Sequence, residues 1–198
     1  MAKPFIIMLD LDGPVCTTRS NNGIGSFFDP VAGGMLARLC QRSGAKIVIV
    51  SARRRDADLV QKLDGIGLKD HLFDHPDHWR TGHDPQAVRG NEVDAWHAAN
   101  PGHDYAIVDD AIGGYSPHHI QRLVHTDMHA GLSIQDLARL QRLMGDPITD
   151  ADIDDAAAQP PRITLARMAQ DALRALDQGD DDSARLILDL IAGHPLAQ

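Results

Sequence analysis

Cysteine is scarce in this chain: Cys16 and Cys40 are the only two among 198 residues. That is too few for a disulfide scaffold and suits a reducing compartment. Long apolar runs are missing as well, since no stretch approaches the ~20 residues that crossing a bilayer requires. Met1–Leu9 lacks the pattern of a secretion signal, because one lysine precedes five apolar residues that Asp10 stops. The expectation is a cytoplasmic protein with no membrane association. Positive charge is short too. The net charge of −9 argues against broad attraction to nucleic acid. A cluster such as Arg53, Arg54 and Arg55 would still make a local basic groove. What is present is a sufficient core, with 43% apolar residues in a length that suits one domain and a small appendage.

Strand and helix patterns alternate along the first 145 residues. Phe5–Leu9, Lys46–Val50 and Tyr105–Val108 are short apolar runs, as expected of strands buried on both faces. His71–Phe73 and Leu123–His125 are weaker strand candidates. Helical spacing covers Pro30–Arg42, Asp56–Leu63, Gln86–Ala99 and Ile134–Met144, with Gly44 and the Asn100-Pro101-Gly102 run as stops. Alternation of this kind predicts an α/β fold: a Rossmann-like three-layer sandwich around a central parallel sheet.

The three clearest strands end in polar residues: Asp10 and Asp12, then Ser51, then Asp109 and Asp110. Open α/β sheets gather function outside the carboxyl ends of their strands, so these groups should share one edge. Four carboxylates brought together repel one another unless a cation sits among them or some take up protons. Hard oxygen ligands without nearby imidazole or thiolate favour Mg²⁺ over zinc. Such a site suits phosphoryl chemistry. An isolated Asp-x-Asp-Gly is weak, because Asp and Gly are common in turns after strands. The ordered set of all three strand ends is much more specific.

That set resembles the haloacid dehalogenase (HAD) superfamily of phosphohydrolases. "DLDGPV" is similar to its first motif, "IVIVSARR" to its second and "YAIVDD" to its fourth. Within the superfamily the chain most resembles the HAD domains of Swiss Army knife RNA-repair proteins, through "RGNEVDAWHAAN" (Arg89–Asn100), "YAIVDD" and "LVHTDMHAGLS" (Leu123–Ser133). The resemblance implies a phosphomonoester hydrolase that works through an aspartyl-phosphate, with phosphorylated nucleic-acid ends as candidate substrates. Asp10 would be the nucleophile and Asp12 the general acid and base. Mg²⁺ would be held by Asp10, the backbone carbonyl of Asp12, Asp109 and Asp110. Ser51 would bind a phosphoryl oxygen.

Two departures from the family pattern stand out. The usual lysine of the third motif is missing, and Arg89 is the natural substitute, since a guanidinium also grips phosphate. Arg53 is a second phosphate-binding candidate. Pro14 replaces a residue with a backbone N–H, which weakens the transfer of detailed loop geometry. No cap domain fits between the motifs, leaving only a flap, "CTTRSNNGIGSFFDP". The expected site is open, which suits a phosphate on something large and also admits a nucleotide. A small-molecule nucleotidase or phosphotransferase, or a non-catalytic binding module on the same core, are the other function classes.

His71, His75, His78 and His83 match no strong zinc-ligand pattern. Their stretch is a surface loop by default; the alternative is a substrate-facing loop in which Trp79 and Arg80 meet a nucleotide. Trp96 is expected in the core. Residues 1–145 then form the catalytic domain, 146–162 an acidic, alanine-rich linker, and 163–198 a pair of amphipathic helices. A single hairpin cannot bury its own face, so it would pack on the core, on a second copy or on another protein.

Overall fold

The computed structural model describes residues 3–18, 28–82 and 87–145. The linker 146–162, the helical pair 163–198, most of the flap and His83 lie outside the described residues. Four parallel strands form one sheet: β1 (Ile6–Leu9), β2 (Lys46–Ile49), β3 (Tyr105–Asp109) and β4 (Leu123–His125), in the order β2-β1-β3-β4. This is the expected Rossmann-like α/β sheet. None of the described helices is long and apolar enough to cross a membrane.

Side chains alternate across a strand, and here both alternating sets are buried. Ile7, Leu9, Ile47, Ile49, Ala106 and Val108 pack with Leu36, Leu39 and Cys40 of α1 (Pro30–Ser43), Leu59 and Leu63 of α2 (Leu59–Gly65), and Leu140 of α5 (Ile134–Leu143). Ile6, Met8, Val48, Val50, Tyr105 and Ile107 face the other way, toward Val93 and Trp96 of α3 (Arg89–Ala99). Three layers result, and Trp96 takes its expected core place, with its Nε1 donating to the His78 carbonyl at 2.7 Å.

Local chemistry sets the helix ends. Asp29 caps α1 by accepting from the Val31 amide at 2.8 Å, with Pro30 in the first turn and Gly44 closing it at φ 71°. Three expected boundaries shift. The helix expected over Asp56–Leu63 starts only at Leu59, as α2, after a separate 3₁₀ turn, Ala52–Arg55, that Ser51 caps through the Arg53 amide. His71–Phe73 makes only an isolated bridge, Leu72 to Ile47, since a 3₁₀ turn at Lys69–His71 leads straight into it. The helix expected from Gln86 starts at Arg89, with extended backbone at Val88. A short helix α4 (Pro117–Ile120) had no counterpart in the pattern.

The strand order fixes where function can sit. From β1 the chain moves outward to β2, then crosses back to β3 on the other side of β1. The crevice opened by that reversal lies at the carboxyl end of β1, which is Asp10.

Candidate active site

Register brings the strand-end residues together. Leu9 is level with Ile49 and with Val108. The next residues along therefore set Asp10 beside Asp109 and Ser51 just beyond. Carboxylate oxygens of Asp10, Asp109 and Asp110 lie within 4.8 Å of one another. Asp10 and Asp109 are buried, whereas Asp110 is half-buried.

Arg89 reaches into this group from the first turn of α3. Its Nη1 lies 2.8 Å from Asp10 Oδ1 and 3.4 Å from Asp109 Oδ2. The basic residue expected in place of the missing lysine is thus beside the expected nucleophile. Burial alone would lower the Arg89 pKa, but Asp10 and Asp109 outweigh it and hold the guanidinium above its ordinary value.

Asp12 and Arg53 form a second pair at the mouth. Arg53 Nε donates to Asp12 Oδ1 at 2.6 Å, and the Asp12 side chain is half exposed. Arg53, expected on a phosphate, here binds a carboxylate. Ser51 is fully buried, and its Oγ accepts from the Arg53 amide at 3.3 Å. One short turn therefore carries Ser51 to the pocket floor and Arg53 to the rim.

Burial pushes the Asp10 carboxyl above the usual carboxylate range; Arg89 opposes the rise and Asp109 adds to it. Asp109 is raised by burial, against the hydrogen bonds that it accepts from the Tyr115 hydroxyl and the Ala111 amide. Asp110 is raised by burial and by Asp10. Asp10 Oδ1 is sealed from solvent and accepts no aligned hydrogen bond, with Arg89 reaching it only as an ion pair. A buried carboxylate oxygen that lacks an aligned hydrogen bond and lies among other hard oxygens fits a small divalent cation such as Mg²⁺.

The loop after β1 is held open by glycine and braced from afar. Gly13 has φ 85°, and a Cβ there would lie 2.4 Å from Asp110 Cγ, so only glycine lets that carboxylate in. The Pro14 carbonyl accepts from the Leu132 amide at 3.0 Å. Asp127 Oδ1 accepts from the His129 and Ala130 amides, folding the turn that presents Gly131 and Leu132 to the loop. The late Thr-Asp…Gly-Leu segment is therefore a support for the loop after β1.

Sequence reasoning missed three contributors. Tyr115 donates its hydroxyl to Asp109 Oδ2 at 2.7 Å, and nothing in "GGYSP" signals that role. Arg54, expected in a basic groove, is buried: Nη2 pairs with Glu92 Oε1 at 2.5 Å, and Nη1 donates to the Val50 and Ser51 carbonyls. Glu92 stood in the motif without a visible partner. The third is Asp94 with His118 and His119, whose ligand atoms lie within 4.8 Å of one another. The Ser116 amide donates to His119 Nδ1 at 3.2 Å, which leaves the proton on Nε2, 3.0 Å from Asp94 Oδ1. That tautomer makes a clamp between α3 and α4 and leaves His119 no lone pair for a metal. The zinc possibility in the His-rich stretch finds no support among the described residues: His75 and His78 simply stack, with centroids 4.0 Å apart.

A protein-family model described as the HAD domain in Swiss Army Knife RNA repair proteins matches residues 6–137, two thirds of the chain and every site residue above. No curated protein and no solved structure matches it.

Proposed function

Because the chain belongs to the family of HAD domains in Swiss Army Knife RNA repair proteins, we propose that it hydrolyses phosphate monoesters through an aspartyl-phosphate on Asp10, with phosphorylated nucleic-acid ends as its substrates. The family implies a phosphohydrolase-type enzyme acting on phosphorylated substrates. The observation that carries the finer reading is the ion pair of buried Asp10 with Arg89, at the switch point of the sheet.

In the proposed cycle, Arg89 and Ser51 hold phosphoryl oxygens and orient the ester. The Asp10 carboxylate attacks phosphorus as the bond to the leaving oxygen breaks, and Asp12 gives that oxygen a proton. Asp12 then takes a proton from water as the water oxygen attacks the phosphoryl group, releasing inorganic phosphate and restoring Asp10. Arg53 fixes the orientation of Asp12 at the mouth, where leaving group and water both enter. Mg²⁺ bound by Asp10, Asp109, Asp110 and the Asp12 carbonyl would supply charge neutralisation at the transferring group.

Phosphate release from a panel tests the reading: 3′- and 5′-phosphorylated oligonucleotides, mononucleotides and an aryl phosphate, each with Mg²⁺ and with EDTA. Magnesium-dependent release from oligonucleotide ends is expected. Preference for mononucleotides would make the chain a nucleotidase, and no release from any substrate would refute hydrolysis.

The raised carboxyls predict how metal and pH combine. A folded pKa above the unfolded value of 3.8 means that the metal-free fold is favoured below that value and loses stability as pH rises toward the folded pKa. A divalent cation opposes this loss, because it binds the ionised forms. The rise in Tm on adding Mg²⁺ should therefore be small near pH 4 and larger at pH 7.5, as read by calorimetry. An equal rise at both would contradict the assignment.

A further inference from the structure

A second opening adjoins the active site. It encloses about 260 Å³ and is lined by Arg54, Arg55, Asp77, Arg80, Thr81 and Gly82. Its position follows from backbone pairing. Arg80 bridges in parallel to Ile49, and the Thr81 amide donates to the Ile49 carbonyl at 3.0 Å, two residues before Ser51. The buried Arg54 guanidinium ties the two sites: Nη1 donates to the Ser51 carbonyl at 2.6 Å and Nη2 to the Gly82 carbonyl at 3.1 Å. Arg53, the neighbour of Arg54, touches Asp12. The opening thus begins where the catalytic rim ends.

Its charge differs from that of the rest of the protein. Glu92 answers the Arg54 charge. Arg55 is exposed and has no partner among the described residues. Arg80 is exposed, braced by Nη1 on the Arg54 carbonyl and by its guanidinium stacked 4.7 Å over the Trp79 ring. Against these two cations the lining holds one carboxylate, Asp77. The chain carries −9 overall, and three carboxylates crowd the neighbouring site, with Asp12 at its mouth. A ligand with only one phosphate needs no cations here. A ligand whose anionic groups repeat along its length does, because the site carboxylates repel every phosphate except the one that Arg89 holds. The opening is also smaller than the ~300–1,000 Å³ that encloses a whole small ligand, so it suits one segment of a longer molecule.

We propose that this opening is a subsite for the phosphodiester next to the terminal phosphate of a nucleic-acid strand, gripped by Arg55 and Arg80. The subsite rests on the phosphatase reading for the terminal phosphate alone. Arg80 is preset by its carbonyl and ring contacts, which lowers the ordering cost of the grip. The subsite explains how an acidic chain accepts a polyanion: attraction is confined to one flank of the site and fades with salt.

The test uses the full chain and the variants Arg55→Gln and Arg55→Gln/Arg80→Gln. Two readouts are taken: kcat/KM for a 3′-phosphorylated trinucleotide relative to a 3′-mononucleotide, and fluorescence anisotropy of a labelled single strand on the Asp10→Asn background. Wild type should prefer the trinucleotide by about tenfold. The double variant should bring that ratio close to one and lower the salt slope of strand binding by about 0.7 for each phosphate that an arginine no longer neutralises. Arg55→Gln alone, at an exposed position without a partner among the described residues, should show part of the loss with an unchanged Tm, which separates binding from folding. Equal rates on both substrates in wild type, or a preference that survives in the double variant, would overturn the subsite. If nothing is hydrolysed, the phosphatase reading fails by itself and anisotropy decides: strand binding that is absent or indifferent to both arginines overturns the subsite, and binding weakened by the variants upholds it.

Discussion

Asp10→Asn should abolish phosphate release, by roughly 10⁴–10⁶-fold, the range seen when one member of a covalent catalytic unit is removed. The same variant, free of metal at pH 7, should melt above wild type. The two effects share one cause. Asp10 is buried beside Asp109, and its carboxyl is held above the usual range because folding disfavours the charged form more than Arg89 favours it. Amide for carboxylate removes that disfavoured charge and keeps the shape, while Arg89 retains Asp109 as a partner. A steady-state phosphate assay and a calorimetric scan on the same preparation check both halves. Lost activity with a lowered Tm would point to damage of the fold instead of the nucleophile.

Glu92→Ala should cost about 3–5 kcal/mol, the usual result of breaking a buried ion pair from one side. For a domain of this size each kcal/mol shifts Tm by about 2–4 °C, so a fall of roughly 6–20 °C is expected. Arg54 and Glu92 side chains are only 4% and 9% exposed, so the change takes a buried carboxylate away from a buried guanidinium. The pair joins the turn bearing Ser51 and Arg53 to the helix that starts with Arg89, so both sides of the site move with it. The double replacement Arg54→Met/Glu92→Leu should recover much of the stability, because no stranded charge remains. Chemical denaturation of the three proteins measures this, and a loss below about 1 kcal/mol in Glu92→Ala would show that the pair is not the brace described.

The sheet was legible because each strand is buried on both faces. Ile6–Leu9 and Tyr105–Val108 are uninterrupted apolar runs followed at once by aspartate, and few other structures explain such runs. The place of Arg89 was legible from the missing lysine and from its position at the start of α3. Arg54 was not. Three consecutive arginines read as solvated charge, and only the 3₁₀ turn capped by Ser51 rotates the middle one inward. Tyr115 was hidden for a similar reason: a loop tyrosine acquires meaning only when the loop curls its hydroxyl back onto Asp109, six residues earlier. His71–Phe73 has strand-like residues, but the preceding turn allows only one bridge, so local pattern overstated the pairing. The His118–His119 pair carries no spacing signal, because its acid partner, Asp94, lies on another helix.

The most direct measurement of the central claim is chemical trapping during turnover. Enzyme hydrolysing a phosphorylated oligonucleotide is quenched and treated with borohydride, which reduces an acyl phosphate to an alcohol, and the peptides are mapped by mass. The account predicts homoserine at position 10 and at no other aspartate. Intact Asp10 recovered from enzyme caught in active turnover, with the modification at Asp12 or at no aspartate at all, would contradict it.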